Sequence, residues 1–133
     1  MSYASTFREL KVYMLAIKNA QVLFERTKEF PAAERYVLTD QILRSSRAVC
    51  AMIGEAWAHR PYPKAFRSKL IHALGECFET RVWLDFALSA EYISDEEFSE
   101  FDNAFEQISA MLYRMQARPE LFSPRKNSDA SEP

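Results

Sequence analysis

The side chains of this sequence that could do chemistry are two histidines, two cysteines and a run of basic residues near its middle. Glu55 with His59, and His72 with Glu76, stand four residues apart, so each pair can share one helical face. Acid and imidazole side chains are suitable zinc ligands, and two such pairs could hold one ion. Pairing on a helix surface is the commoner use of this spacing. We therefore expect no metal ion and no other cofactor.

Other catalytic patterns are also missing from the sequence. The di-metal site of helix bundles needs Glu-x-x-His motifs, and neither histidine has a glutamate three residues before it. Cys50 and Cys77 lie in apolar rows, where burial raises the pKa of a thiol and makes it inert. Gly54 and Gly75 stand alone, so there is no glycine-rich phosphate loop. The sequence predicts a protein that is not an enzyme.

The cellular location is predicted from what the sequence lacks. It has no apolar run of 18 residues that would span a membrane, and no basic-then-apolar export signal. We therefore expect a cytoplasmic protein that makes no membrane contact. In that compartment Cys50 and Cys77 should be reduced, buried thiols rather than a disulfide.

Basic residues are concentrated between positions 34 and 69, where seven Lys and Arg stand against three acids. Between positions 70 and 112 the balance reverses to ten acids and one base. Basic groups neutralise phosphates, and the interleaved Trp57 and Tyr62 can stack on unpaired bases. The candidate nucleic-acid-binding residues are Arg44, Arg47, Arg60, Lys64, Arg67 and Lys69. They predict binding to RNA. The alternative is a protein–protein scaffold in which these charges only pair with the acidic helices.

Four helices must position these side chains. Apolar residues recur every three or four positions in segments of about 7–27, 39–59, 62–90 and 94–118. Short links force neighbouring helices to run antiparallel. Scarce glycine also argues against a sheet with many tight turns. The expected fold class is all-α, an antiparallel up-down-up-down four-helix bundle.

Several details of these helices can be predicted. In the first helix the buried row should be Leu10, Met14, Ile17, Gln21 and Phe24. Thr39 should cap the second helix. Residues 94–97 form a capping box that starts the fourth helix. The bundle domain should cover residues 1–122, and the polar residues 123–133 should form a disordered tail.

The third helix is apolar on more sides than one bundle can bury. A second row outside its main seam is apolar, and two aromatic residues lie on yet another side. Such surplus apolar surface predicts contact with other copies of the chain, hence a homo-oligomer. The interface candidates are Ile71, Phe78, Trp83 and Phe86.

A set of residues in the first loop and in the second and third helices forms a familiar combination. It comprises Phe30-Pro31, Glu34, Tyr36, Leu38, Gln41, Arg44-Ser-Ser-Arg-Ala-Val-Cys50, Ile53, Glu55-Ala-Trp57, Arg60, Phe66, Lys69-Leu70, Gly75-Glu76, Glu79-Thr80 and Val82-Trp83-Leu84. In these residues the chain resembles the four-helix-bundle family first noticed in intervening sequences of bacterial 23S rRNA genes, sometimes labelled a ribosomal protein.

The resemblance covers nearly all of residues 7 to 118 and carries expectations of its own. It implies an antiparallel four-helix bundle that forms a ring-like pentamer. It also implies distant kinship with the accessory proteins of diversity-generating retroelements, basic pentamers that bind a reverse transcriptase and nucleic acid. A nucleic-acid enzyme is therefore a second candidate partner that the resemblance implies. The resemblance supplies no catalytic residues.

Overall fold

The computed structural model of the protein describes residues 4–123. Four α-helices account for most of them: α1 (Lys11–Thr27), α2 (Leu38–Ala58), α3 (Pro63–Ser89) and α4 (Asp95–Ala117). Single 3-10 turns precede α1, link α1 to α2 and follow α4. Residues 4–123 contain no strand, which confirms the all-α prediction. The predicted polar tail, apart from Ser123, lies outside the described residues.

Specific side-chain bonds join neighbouring antiparallel helices. Thr80 of α3 donates a buried hydrogen bond to the hydroxyl of Ser45 on α2, at 2.8 Å. The guanidinium of Arg81 on α3 holds a carboxylate on α4, that of Asp102, at 2.8 Å. The first and last helices are joined in the same way, by an arginine of α1 and a glutamate of α4 that lie 2.7 Å apart. These bonds fix the register of the up-down topology.

The core is an apolar column to which each helix contributes one face. Its largest fully buried side chains are Phe66, Phe105, Leu23, Ile42, Ile53, Leu70, Leu84, Ile108, Leu112 and Val49. The buried residues of α2, α3 and α4 recur every three or four positions, as the apolar periodicity predicts. Small residues lie among the large ones, and they allow the helix backbones to approach closely.

The first helix differs from the prediction in its start and in its buried face. Residues 7–9 form a separate 3-10 turn, and extended backbone at Leu10 (φ −69°, ψ 131°) interrupts the helix before Lys11. The predicted inward row is wrong for Met14, Ile17 and Gln21, which are exposed. The buried row of α1 is Val12, Ala16, Ala20, Leu23 and Thr27.

The reason for this difference is that α1 carries two apolar rows on adjacent faces. Periodicity identifies both rows but does not choose between them. The structure buries the row that contains Ala16 and Ala20, since small side chains let α1 lie close to its neighbours. The larger Met14 and Ile17 are left about half exposed.

The helix ends were predicted with unequal success. Thr39 is not the cap of α2, which starts one residue earlier at Leu38 and has no side-chain cap on Val37. Instead, a carboxylate oxygen of Glu34 accepts a bond from the Leu38 amide at 3.2 Å. The capping box of α4 is confirmed: the Glu97 amide donates to Ser94 Oγ at 3.0 Å, and the Ser94 amide donates to Glu97 at 2.9 Å.

Candidate nucleic-acid interface

The up-down topology collects basic residues at one end of the bundle. This end, called the basic end here, consists of residues 7–14, 59–67 and 114–121. They are the 3-10 turn before α1 with the first residues of α1, the α2–α3 turn with the start of α3, and the end of α4 with the 3-10 turn after it. Seven Lys and Arg stand there against two acids, Glu9 and Glu120. The basic residues are Arg8, Lys11, Arg60, Lys64, Arg67, Arg114 and Arg118.

Contacts between the three segments hold this end together. Arg67 Nε donates to the backbone carbonyl of Gln116 at 3.1 Å, which ties the first turns of α3 to the last turn of α4. The ring of Phe122 stacks on that of Phe66, with 5.8 Å between centroids. A hydroxyl just beyond α4, that of Ser123, reaches the carbonyl of residue 60 at 3.5 Å. The positive charges therefore sit on a packed platform rather than on a loose loop.

Arg60 is the most firmly held of these cations. Its guanidinium lies 3.7 Å from the ring centre of Trp57, and its Nε donates to the Trp57 carbonyl at 2.8 Å. Burial lowers the pKa of Arg60, yet an arginine at this surface stays protonated at neutral pH. No carboxylate of residues 4–123 forms an ion pair with it. A charge that is positioned but not neutralised is suited to an anionic ligand.

The rest of the α2–α3 turn is open to solvent. Lys64 and Arg67 are exposed, and within residues 4–123 they form no ion pair. Tyr62, which stands between Arg60 and Lys64 in the chain, is 66% exposed. An exposed aromatic ring in a turn with three such cations offers a stacking surface for a base next to phosphate-binding groups.

Two of the predicted basic residues are engaged by acids between α2 and α3. Arg44 pairs with Glu76 at 3.4 Å and also binds the carboxylate of Glu79. This bond to Arg44 is the main reason that the pKa of Glu79 is lowered. Lys69 holds Glu55 at 2.9 Å and lowers the pKa of that carboxyl. Arg44 and Lys69 thus have a structural partner, as the scaffold alternative requires.

Arg47 lies apart from both groups. It is exposed on α2, with its guanidinium 5.2 Å from the ring centre of Phe24 on α1. The six predicted residues therefore occupy three places. Arg60, Lys64 and Arg67 are at the basic end, Arg44 and Lys69 form ion pairs between α2 and α3, and Arg47 is on the α1–α2 side.

Sequence reasoning missed four cations at the basic end: Arg8, Lys11, Arg114 and Arg118. They are distant in sequence from the α2–α3 turn but share its end of the bundle. Their position could have been predicted from the topology, because an up-down bundle places the start of its first helix and the end of its fourth beside the second turn. Arg118 is partly neutralised by Glu120, whose pKa is lowered chiefly by that contact.

The groups considered for metal binding or nucleophilic chemistry are not assembled for either. Glu55 is paired with a lysine, while His72 Nε2 lies 3.8 Å from Glu76. No three His, Cys, Asp or Glu within residues 4–123 are grouped to hold a metal ion. Burial raises the pKa of the Cys50 thiol to about 11 and that of Cys77 to about 12. Both thiols are protonated at neutral pH and therefore poor nucleophiles.

The predicted interface residues on α3 are largely exposed in the single chain. Ile71, Phe78 and Phe86 are each about half exposed. Trp83 is half-buried, and its Nε1 donates to a glutamate one turn earlier at 3.1 Å. Val82, which was not among the candidates, is also exposed on this helix. None of the helices within residues 4–123 is both long and apolar enough to cross a membrane.

Three comparisons with known proteins bear on this geometry. A family model for the 23S rRNA-intervening sequence proteins matches residues 8–114. Among solved structures, the chain is similar to a protein of unknown function from the S23 ribosomal protein family of Bacteroides thetaiotaomicron. The two are 28% identical with a TM-score of 0.73, over 80% of this chain and 95% of that one. No curated protein is significantly similar to this chain.

Proposed function

The chain belongs to the 23S rRNA-intervening sequence protein family, and from that premise we propose that it is a non-enzymatic, homo-oligomeric protein that binds RNA or a ribonucleoprotein. The observation that carries the proposal is the basic end. Its cations come from three segments of the chain, and most of them have no acid partner within residues 4–123. Unpaired cations beside an exposed tyrosine suit the phosphates and bases of a single-stranded or looped RNA.

Net charge alone would argue against this role, because the whole chain carries −2. The acids, however, are concentrated at the other end of the bundle, in residues 25–40 and 85–100. A polyanion at the basic end meets a local excess of positive charge, and local potential governs such encounters. The charge distribution therefore supports the proposal although the net charge does not.

The homo-oligomeric part of the proposal has separate support. Four large apolar side chains are exposed together on one face of α3. Contiguous apolar surface of this kind often marks a contact with another protein. The family resemblance suggests a ring of five subunits. In such a ring the basic end would be repeated around the axis, so that several weak contacts act together on one RNA. A cytoplasmic setting fits both the RNA ligand and the two free thiols.

Binding of a structured RNA over a salt series tests the RNA part directly. Since phosphate contacts release counterions, the logarithm of the association constant should fall linearly with the logarithm of salt concentration. Absent binding, or binding that ignores salt, would contradict the proposal. Light scattering on the same samples tests assembly, and a mass of one 15.5 kDa chain would contradict the homo-oligomer.

The second candidate function is a protein–protein scaffold with no nucleic-acid ligand. The observation that favours it is the engagement of Arg44 and Lys69 by glutamates of the same chain. If the cations at the basic end are also covered by acids of a neighbouring subunit, charge reversal there would dissolve the oligomer. In the RNA-binding proposal the same reversal leaves the oligomer intact and removes only the RNA.

A further inference from the structure

The two glycines of the chain occupy unusual positions. Gly54 lies within α2 and Gly75 within α3, although glycine is a poorer helix former than alanine. Neither is required by close packing inside the bundle. A Cβ atom built at either position meets nothing within 4 Å beyond the local helix backbone. The single chain offers no steric reason for either glycine.

Gly75 lies at the centre of an exposed apolar face. Ile71 is one turn before it, Phe78 one turn after, and Val82 and Phe86 continue along the same side. These four side chains are 46–56% exposed. We call them, with Gly75, the α3 outer face.

Gly54 belongs to a second apolar face on another side of the bundle. Arg47 of α2 lies over Phe24 of α1, which sets the register of these antiparallel helices. Gly54 lies two turns after Arg47 on α2, and Ile17 lies two turns before Phe24 on α1. Because the helices are antiparallel, Gly54 and Ile17 stand at the same height along the bundle. Ile17 and its neighbour Met14 are 45% and 49% exposed. We call this surface the α1–α2 face.

The exposed apolar area is large enough for the core of a specific interface. An aromatic side chain offers roughly 150–250 Å², and taking that range for all four half-exposed side chains of the α3 outer face gives about 300–500 Å². A standard interface buries about 800 Å² on each partner, of which somewhat more than half is apolar. The four side chains of the α3 outer face thus supply most of the apolar part of such an interface.

Heights along the bundle place the two faces in register. Contacts between α2 and α3 set these heights, since residue 69 pairs with residue 55 and residue 80 bonds to residue 45. Ile71 therefore stands level with Gly54 in every copy. Rotation about an axis parallel to the helices leaves heights unchanged. A neighbouring copy related by such a rotation brings its Ile71 side chain to the level of the open space at Gly54.

We propose that the α3 outer face of one copy packs on the α1–α2 face of the next, with Ile71 filling the space at Gly54. The proposal rests on the homo-oligomeric part of the proposed function and specifies its interface. The contact joins two different surfaces, so it is head-to-tail, and it generates a ring when the rotation closes. Gly75 is the point at which the neighbouring helix comes closest to α3. The partner is a second copy because each chain carries both faces, and the two faces lie at the same height along the bundle.

Cross-linking of two single variants tests the pairing. Ile71→Cys and Gly54→Cys are prepared separately, mixed as equal amounts of folded protein and oxidised. The expected result is a disulfide-linked dimer in the mixture and none in either variant alone beyond the wild-type background. The wild type is the matched control, since its own Cys77 is buried and Cys50 is half-buried. Asn103→Cys, on the exposed face of α4, controls for random collision when mixed with either variant.

A second variant separates loss of assembly from loss of folding. Gly54→Gln places a good helix former in open space, so its thermal midpoint as a monomer should not fall. Light scattering should nevertheless show it as a single chain. A monomeric wild type would refute the homo-oligomer itself. An oligomeric wild type with Ile71→Cys linking to itself, or with Gly54→Gln assembling normally, would refute only the pairing proposed here.

Discussion

The two ends of the bundle differ in how their charges are used. The end opposite the basic end, called the acidic end here, comprises residues 25–40 and 85–100 and carries ten acids and three bases. There the key charges satisfy one another. Arg26 donates to both carboxylate oxygens of Glu97 and to the Tyr92 carbonyl, and Glu97 also completes the capping box of α4. At the basic end, most cations have no such partner among the described residues.

This difference separates structural charge from charge that is free for a ligand. A carboxylate that accepts several hydrogen bonds stabilises the fold, and removing it leaves donors unsatisfied. A cation exposed to solvent adds little to stability but keeps its full capacity to bind phosphate. Mutations at the acidic end should therefore change folding, whereas mutations at the basic end should change binding.

The largest expected effect is on RNA affinity. Lys64→Glu combined with Arg114→Glu reverses two exposed charges at the basic end. Affinity for structured RNA should fall ten- to a hundred-fold at about 0.1 M salt, with a shallower salt slope, because about two phosphate contacts are lost. Filter binding across a salt series measures both quantities.

A matched control makes the same change in charge at the acidic end. Lys28→Glu combined with Arg35→Glu also replaces two exposed cations by acids. If RNA affinity depends on the basic end, this variant should bind within about twofold to threefold of the wild type, apart from a small effect of net charge. Equal losses in the two variants would mean that only net charge matters, and the distinction between the ends would fail.

The next effect in size is on stability. Glu97→Gln removes the charged partner of Arg26 and weakens the capping box, so the free energy of unfolding should fall by about 1–3 kcal/mol. Chemical denaturation followed by circular dichroism measures the change. Glu100→Gln, an exposed residue on the same helix, should change it by less than about 0.5 kcal/mol. RNA affinity should be unaffected in both variants.

The pH dependence of stability sharpens the same contrast. Hydrogen bonding to Arg26, and then to the Ser94 amide, lowers the pKa of Glu97 to about 2 in the folded protein. A carboxyl pKa that is lower in the folded than in the unfolded state contributes stability above the unfolded value of about 4.3. That contribution is lost as the pH falls from there towards 2. In denaturation curves at several pH values, the free energy of unfolding should fall less on acidification for Glu97→Gln than for the wild type.

The smallest expected effect concerns the end of α3. Glu91 has a φ of 64°, in the left-handed region that glycine adopts without strain. Its amide bonds to the Leu88 carbonyl and that of Tyr92 to the Ala87 carbonyl, both at 2.9 Å, the pattern of a Schellman motif. Glu91→Gly should therefore stabilise the protein by about 0.5–1 kcal/mol. Ser89→Gly, inside the last turn of α3, should instead destabilise the protein. Thermal melts distinguish the two.

How much of the fold could be predicted from the sequence depends on whether a feature is local. The capping box at Ser94 and the spacing of the buried residues of α4 by three or four positions need only neighbouring residues, and both are confirmed. The buried face of α1 was mistaken, because Met14 and Ala16 both belong to apolar rows and only tertiary packing selects one.

The candidate interface shows the same limit. Arg60, Lys64 and Arg67 could be predicted together because they are close in the chain. The pairing of Arg44 with an α3 glutamate could not, since it depends on the register between α2 and α3. Arg114 could have been added from topology alone. Sequence reasoning identified the basic residues of these helices, but interhelix register decides which of them pair with an acid.

The separation of charge between the two ends also bears on how fast the protein would meet a polyanion. α3 has 27 residues and so spans about 40 Å, which makes the molecule an electric dipole with a long arm. In the field of an approaching polyanion a dipole experiences a torque, and the protein turns its basic end forward before any contact forms. The torque reorients the protein during its diffusional approach, so fewer encounters begin in an unproductive orientation. The association rate therefore rises at low ionic strength. A protein with a net negative charge can in this way associate quickly with a polyanion.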